Sequence, residues 1–344
     1  MRSAALSSER MLPRHLRTSL GFAFRERRAA DRNFHSSAVV KMPIKFNNEL
    51  PAYQTLKSEG VWIAEQLPQS QNIPSLKIGI MNIMPVKIPT ETQLLRMLGR
   101  SPVHVDVTLF VPTAYAAKGT PPEHLSKFYK RWEEIKNEKF DGFIVTGAPI
   151  ETLDFEQVSY WKELQGFFDR VVATDAAMLT LCWGAMASLY HFHKVPKYVV
   201  NRKQFGVFTH KNLDPTSPLT LGIGPSVGIP VSRHSMWHAA DVDAVGPKIK
   251  TLLTNDVTGP SLVWDAALAH AHMINHFEYD AGTLDNEYRR DLVKGTPTGD
   301  PIHLPHNYYP EDNPDRAPPH SWMSPGQVFY SNWLSTVLRR KYRL

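Results

Sequence analysis

Met178-Leu179-Thr180-Leu181-Cys182-Trp183-Gly184-Ala185-Met186-Ala187-Ser188-Leu189 reads as a short apolar strand, a sharp turn and a helix rich in small residues. Such a turn lifts one side chain to the carboxyl edge of a sheet, beside the positive end of the following helix. A thiol at that point loses its proton more easily, because a helix amino end favours negative charge. Cys182 is the only cysteine among 344 residues. Taken alone, a single cysteine is a small buried hydrophobe; its flanks, and a distant His276-x-Glu278, make it a candidate nucleophile.

The same strand-then-helix rhythm extends in both directions. Upstream, Leu76 to Pro85 reads as a buried strand, Thr90 with Gln93 as a capping box opening a helix that Gly99 ends, and Val103 to Phe110 as a strand. Leu125, Phe128, Trp132 and Ile135 repeat at helical spacing; Gly142 to Thr146 is another strand, and Phe155 to Phe168 a helix. Downstream, the prolines of 196–260 predict shorter strands, some at antiparallel edges. Leu262 to Ile274 supplies a late strand pair, Thr283 to Lys294 a helix, 296–319 an irregular tail and Gln327 to Leu338 a final helix. Alternation of this kind predicts an α/β fold, a parallel sheet covered on both faces.

Composition narrows the class. A hydrophobic share of 42% supports a large core. One cysteine excludes an internal disulfide and a cysteine-based zinc finger, and predicts a reducing compartment. No apolar run approaches the roughly 20 residues that span a bilayer, so no membrane partner is expected. The formal net charge of +6 resides in residues 1–41, which hold nine basic and three acidic side chains. The remainder is formally neutral, which argues against a nucleic-acid partner. An Arg- and Ser-rich, acid-poor leader matches a mitochondrial transit peptide; with translation from Met42 the protein would be cytoplasmic. Residues 42–344 are expected to form one domain.

A nucleophilic thiol needs a base, and the base an orienting partner. His276 and Glu278 follow a late strand, so in a doubly wound sheet they share the edge that carries Cys182. Residues two apart on extended chain point the same way. His234 and His238, four apart, lack the acidic neighbour of a metalloprotease helix, and no phosphate loop or dinucleotide fingerprint is present. No metal and no cofactor are expected.

A series of collinear blocks carries a resemblance: Met42-Pro43-Ile44-Lys45, Asn82-Ile83-Met84-Pro85, Asp141 through Pro149, Cys182-Trp183-Gly184, Phe205-Gly206-Val207-Phe208, Ser232-Arg233-His234, His276-x-Glu278-Tyr279-Asp280 and Asn332-Trp333-Leu334. From about residue 42 to 338 the chain resembles the homoserine O-acyltransferase (homoserine transsuccinylase) family. The resemblance implies a flavodoxin-like, class I glutamine amidotransferase-related fold and a homodimer. It implies that Cys182 forms an acyl-thioester, with His276 as proton acceptor and Glu278 as its partner. Lys203, Ser232 and Arg290 would bind the acceptor amino acid, Arg290 gripping the α-carboxylate with its fork. The Trp183 backbone N–H is a candidate oxyanion donor. Acyl-CoA would be a substrate rather than a cofactor.

Glu151 matches the position that separates acetyl from succinyl donors. A carboxylate there repels the free carboxylate of a succinyl group by about 1–4 kcal/mol at 4 Å, so acetyl-CoA is favoured. Three positions depart from the family pattern: Val231 before Ser232, Met186, and Phe277 between His276 and Glu278. Val231 leaves L-serine open beside L-homoserine as acceptor, since one methylene is worth only about 1–3 kcal/mol. A succinyl donor, or glutamine amidotransferase or cysteine hydrolase chemistry on the same scaffold, are the alternatives. Thr180 occupies the first glycine of the amidotransferase elbow Gly-x-Cys-x-Gly, against the last of these.

Overall fold

The computed structural model describes residues 43–65, 74–115, 119–296 and 298–344. The basic segment 1–41 and the start at Met42 lie outside them. The strands, in chain order, are β1 (Ile44–Lys45), β2 (Ser75–Met81), β3 (His104–Val111), β4 (Lys130–Arg131), β5 (Gly142–Val145), β6 (Ala177–Leu181), β7 (Tyr198–Asn212), β8 (Ser226–Met236), β9 (Lys250–Asn255), β10 (Gly259–Asp265) and β11 (His270–Met273). Among the described residues they join one sheet in the order β1-β3-β2-β5-β6-β11-β10-β9-β7-β8, with β4 on β3.

The half of the sheet from β1 to β11 is parallel, and the half from β11 through β10, β9 and β7 to β8 is antiparallel. β6 is buried at every position, as a strand covered on both faces must be. The helices Trp183–His193 and Met323–Tyr342 both touch it. The first packs with Trp161–Ala173, the second with Lys87–Gly99. The α/β reading therefore holds, and 196–260 supplies antiparallel strands, but these are not short: β7 and β8, at 15 and 11 residues, are the longest among the described residues.

Several local expectations shift. The helix expected from Thr90 starts at Lys87, without a side-chain cap. Pro89 is tolerated in a first turn, where no N–H is needed, so Thr90 is interior and Gln93 donates to Thr283 Oγ1 at 3.0 Å. Leu125 to Ile135 divides into two short helices around β4, and Phe155 to Phe168 into a turn of 3₁₀ helix and a helix from Trp161.

Strand order reverses between β2 and β5, because β3 lies outside β2 and β6 beyond β5. In open parallel sheets that crevice, at the carboxyl ends of the strands, is where ligands bind. The loops after β2 (Asn82 to Pro85), β5 (Thr146 to Glu151), β6 (Cys182) and β11 (His276) all leave from that edge.

Candidate active site

Cys182 caps the Trp183–His193 helix with φ +51° and ψ −119°, a backbone state that side chains other than glycine rarely adopt. Its N–H donates to Met273 O at 2.8 Å, so β11, which leads to His276, also fixes the turn holding the sulfur. Behind it, Ser188 Oγ and Thr180 Oγ1 lie 2.7 and 3.2 Å from His272 Nδ1. This fully buried polar group ties β6, its helix and β11 together.

His276 Nδ1 meets Glu278 Oε1 at 2.6 Å. The contact comes from a turn at Phe277 and Glu278 rather than from the extended i, i+2 geometry expected. The ring stacks on Tyr279, with centroids 4.1 Å apart at 16°. Among the described residues Nε2 is buried without a hydrogen bond of ordinary geometry, and the Cys182 sulfur acts on its charge. Burial alone would lower the imidazole pKa; Glu278, then Cys182, reverse the sign and push it up to about 10.

A cleft of about 140 Å³ brings together Cys182, His276, Lys203, Ser232, Arg290 and Glu151. Glu278 lies behind His276, outside the cleft wall. Lys203 Nζ donates to Asp291 Oδ2 at 2.9 Å and to Glu287 Oε2 at 3.2 Å, over the Phe205 ring. Ser232 Oγ donates to Glu287 Oε2, and Tyr279 OH to Glu287 Oε1. Arg290 holds Asp291 Oδ1 through Nε and Nη2 and stays half-exposed. The Glu151 side chain is 14% exposed, turned into the cleft rather than to solvent. Burial raises its pKa, but hydrogen bonds from the His234 side chain and backbone outweigh this and hold it below the usual carboxylate value. It is therefore charged at neutral pH.

Four residues here had no role assigned from the sequence. Glu287 faces the hydroxyl of Ser232 and the ammonium of Lys203; its signal was an acidic residue one helical turn before Asp291 and Arg290. Arg233 is 1% exposed and, among the described residues, donates to the neutral acceptors Asn275 Oδ1, Ser235 O and Thr258 O. Burial lowers its pKa to about 10 while Cys182 and Glu151 oppose the change, so it supplies positive potential behind the sulfur. Lys87 is fully buried, and Nζ donates to Asn82 O at 2.5 Å and Met84 O at 2.9 Å, fixing the loop that lines the cleft.

Gly147 is the fourth. A Cβ there would sit 2.9 Å from Cys182 Cβ, 3.4 Å from Sγ and 3.6 Å from the Trp183 backbone nitrogen. Gly147→Ala is expected to displace the sulfur and lower kcat on the order of 10²-fold while circular dichroism stays near parental; unimpaired turnover would refute the close approach. Of the departures noted above, Val231, Met186 and Phe277 are all buried and none lines the cleft. Among the described residues, no group of three or more His, Cys, Asp and Glu side chains is arranged to hold a metal ion.

A model of the homoserine O-succinyltransferase family matches residues 43–342. Over 297 residues the chain is 44% identical to a homoserine O-acetyltransferase of Sinorhizobium fredii and 43% identical to one of Agrobacterium fabrum, covering 86% of this chain and 95% of each relative. A glutamine amidotransferase structure from Methylobacillus flagellatus superposes with a TM-score of 0.53 at 10% identity, covering 77% of this chain and 96% of that one. At that identity the likeness concerns the fold alone.

Proposed function

The chain belongs to the homoserine O-succinyltransferase family and is a homoserine O-acyltransferase, and from that premise we propose that it carries the acetyl group of acetyl-CoA to the hydroxyl of L-homoserine through a thioester on Cys182. The observation that carries this reading is one cleft shared by Cys182, the His276 base, the Glu151 carboxylate and the cluster of Lys203, Ser232, Glu287 and Arg290.

The chemistry divides into two half-reactions. Cys182 attacks the thioester carbonyl as a thiolate beside imidazolium His276. The oxyanion faces the Trp183 N–H at the helix start. Coenzyme A leaves as a thiolate and takes the imidazolium proton. Acylation removes the sulfur's negative charge, one of the influences that raise the His276 pKa, so the pKa falls and the ring, its proton gone with coenzyme A, stays neutral and free to accept a proton when the acceptor arrives. It then removes the hydroxyl proton, the alkoxide attacks the acyl-enzyme, and Cys182 leaves as thiolate. No resident cofactor enters the scheme.

On the acceptor side, Arg290 supplies a cation for the α-carboxylate and Glu287 an anion for the α-ammonium, with Lys203 and Ser232 fixing Glu287. L-homoserine is favoured over L-serine because Val231 lies outside the cleft wall. Glu287→Gln is expected to raise the homoserine KM by roughly ten- to a hundredfold, the worth of a charged hydrogen bond, while release of coenzyme A without acceptor continues. Equal loss in both half-reactions would remove Glu287 from the acceptor site.

The acetyl preference rests on the charge of Glu151. Glu151→Gly should move the acetyl-to-succinyl ratio of kcat/KM toward succinyl by about 1–4 kcal/mol in free-energy terms. An unchanged ratio rejects this role. The product, an O-acyl amino acid, carries an activated leaving group suited to replacement by sulfur, which places the enzyme ahead of a sulfur-incorporating step.

A further inference from the structure

The catalytic cleft is small. At about 140 Å³ it accommodates a short acyl group and an amino acid, far less than the 300–1,000 Å³ that larger ligands occupy. Most of a coenzyme A thioester must therefore lie outside it. A second depression of about 450 Å³ adjoins it and shares Ala148 and Pro149 with its wall. It runs between the loop after β2 (Ile83, Pro85), Tyr115 in the loop after β3, and the 150–160 segment (Leu153, Ser159, Tyr160).

We infer that this groove receives the pantetheine arm of the donor, an assignment that rests on the acyltransferase reading above. The arm is uncharged and flexible, with short apolar stretches separated by two amides. The groove answers both features. Tyr115, Val158 and Tyr160 form a buried apolar floor. Tyr115 OH is turned inward to Ile83 O and Met84 O, so its ring is held as a fixed wall. At the rim, the exposed side chains of Gln157 and Ser159 make no hydrogen bond within the described protein, leaving one amide and one hydroxyl for the arm.

A larger groove of about 820 Å³ also borders the cleft region, through Lys203. The Lys203 ammonium, however, is directed to Glu287 and Asp291 at the acceptor end. The smaller groove instead opens beside Glu151, where the acyl group is read, and so continues the donor's path.

Ser159→Trp fills the groove from an exposed, unbonded position. The test compares acetyl-CoA with the acetyl thioester of N-acetylcysteamine, which lacks most of the arm. The expected result is a fall of about tenfold or more in the ratio of kcat/KM for acetyl-CoA over the truncated thioester, with the loss in the KM for acetyl-CoA. A second measurement does not depend on the variant folding: coenzyme A added to the parent enzyme should slow amide exchange across residues 148–160. An unchanged ratio, or slowing confined to 202–209 and 303–307, overturns the assignment while Cys182 acylation stands. If acetyl-CoA does not acylate Cys182 in the parent enzyme, the acyltransferase scheme itself fails.

Discussion

Cys182→Ala, incubated with acetyl-CoA, shows no acetyl mass increase and turns over at least on the order of 10⁴-fold more slowly than the parent. A loss of that size follows when the nucleophile of a triad is removed and only binding and the oxyanion donor remain. The variant keeps the strained turn, so an unfolding artefact must be separated from loss of chemistry. Cys182→Gly makes that separation. Glycine accepts φ +51° without the cost, about 1–3 kcal/mol, of holding another residue there. It should melt at or above the parental temperature while being equally inert. A glycine variant that is stable and active would end the covalent scheme, and an acetyl adduct on another residue would relocate it.

Glu278→Gln is expected to slow the first half-reaction by about 10²–10⁴-fold, the usual worth of a positioned acid–base group, and to change its pH dependence. The sign is fixed by charge. Burial disfavours imidazolium, while Glu278 and Cys182 favour it strongly enough to bring His276 to about 10. Removing the carboxylate's charge lowers that value. The alkaline limb of coenzyme A release, measured in a single turnover between neutral pH and 11, should therefore move toward neutrality in the variant. Its midpoint belongs to the Cys182–His276 pair rather than to either group alone. The near-isosteric glutamine still occupies the space beside Nδ1, so a merely structural role would leave the midpoint in place. Identical limbs in parent and variant would remove Glu278 from the proton path.

The two results read different parts of one arrangement. The first concerns a turn built where β6 meets its helix; the second concerns an imidazole brought to it by β11. Both depend on the parallel pairing of β6 with β11, in which Leu181 faces Met273. That register places the residue after one strand beside the residues after the other. The hydrogen-bonded group of Thr180, Ser188 and His272 lies in the same three elements and leaves them no polar reason to slide.

The β–turn–helix around Cys182, the alternation that makes a parallel sheet, and the late strand before His276 were legible in the chain because each is local. Hydrophobic period and chain punctuation decide them within a dozen residues. Tertiary structure alone decided that Glu151 meets His234, that Glu287 faces Ser232 and Lys203, that Arg233 is buried among neutral hydrogen-bond acceptors, and that Gly147 must lack a Cβ. The Glu151 and Glu287 pairings join residues 55 to 84 positions apart in sequence, and Gly147 meets Cys182 from another loop. No local periodicity encodes such contacts; they exist only once the sheet order and its reversal at β2 and β5 have brought separate loops to one edge.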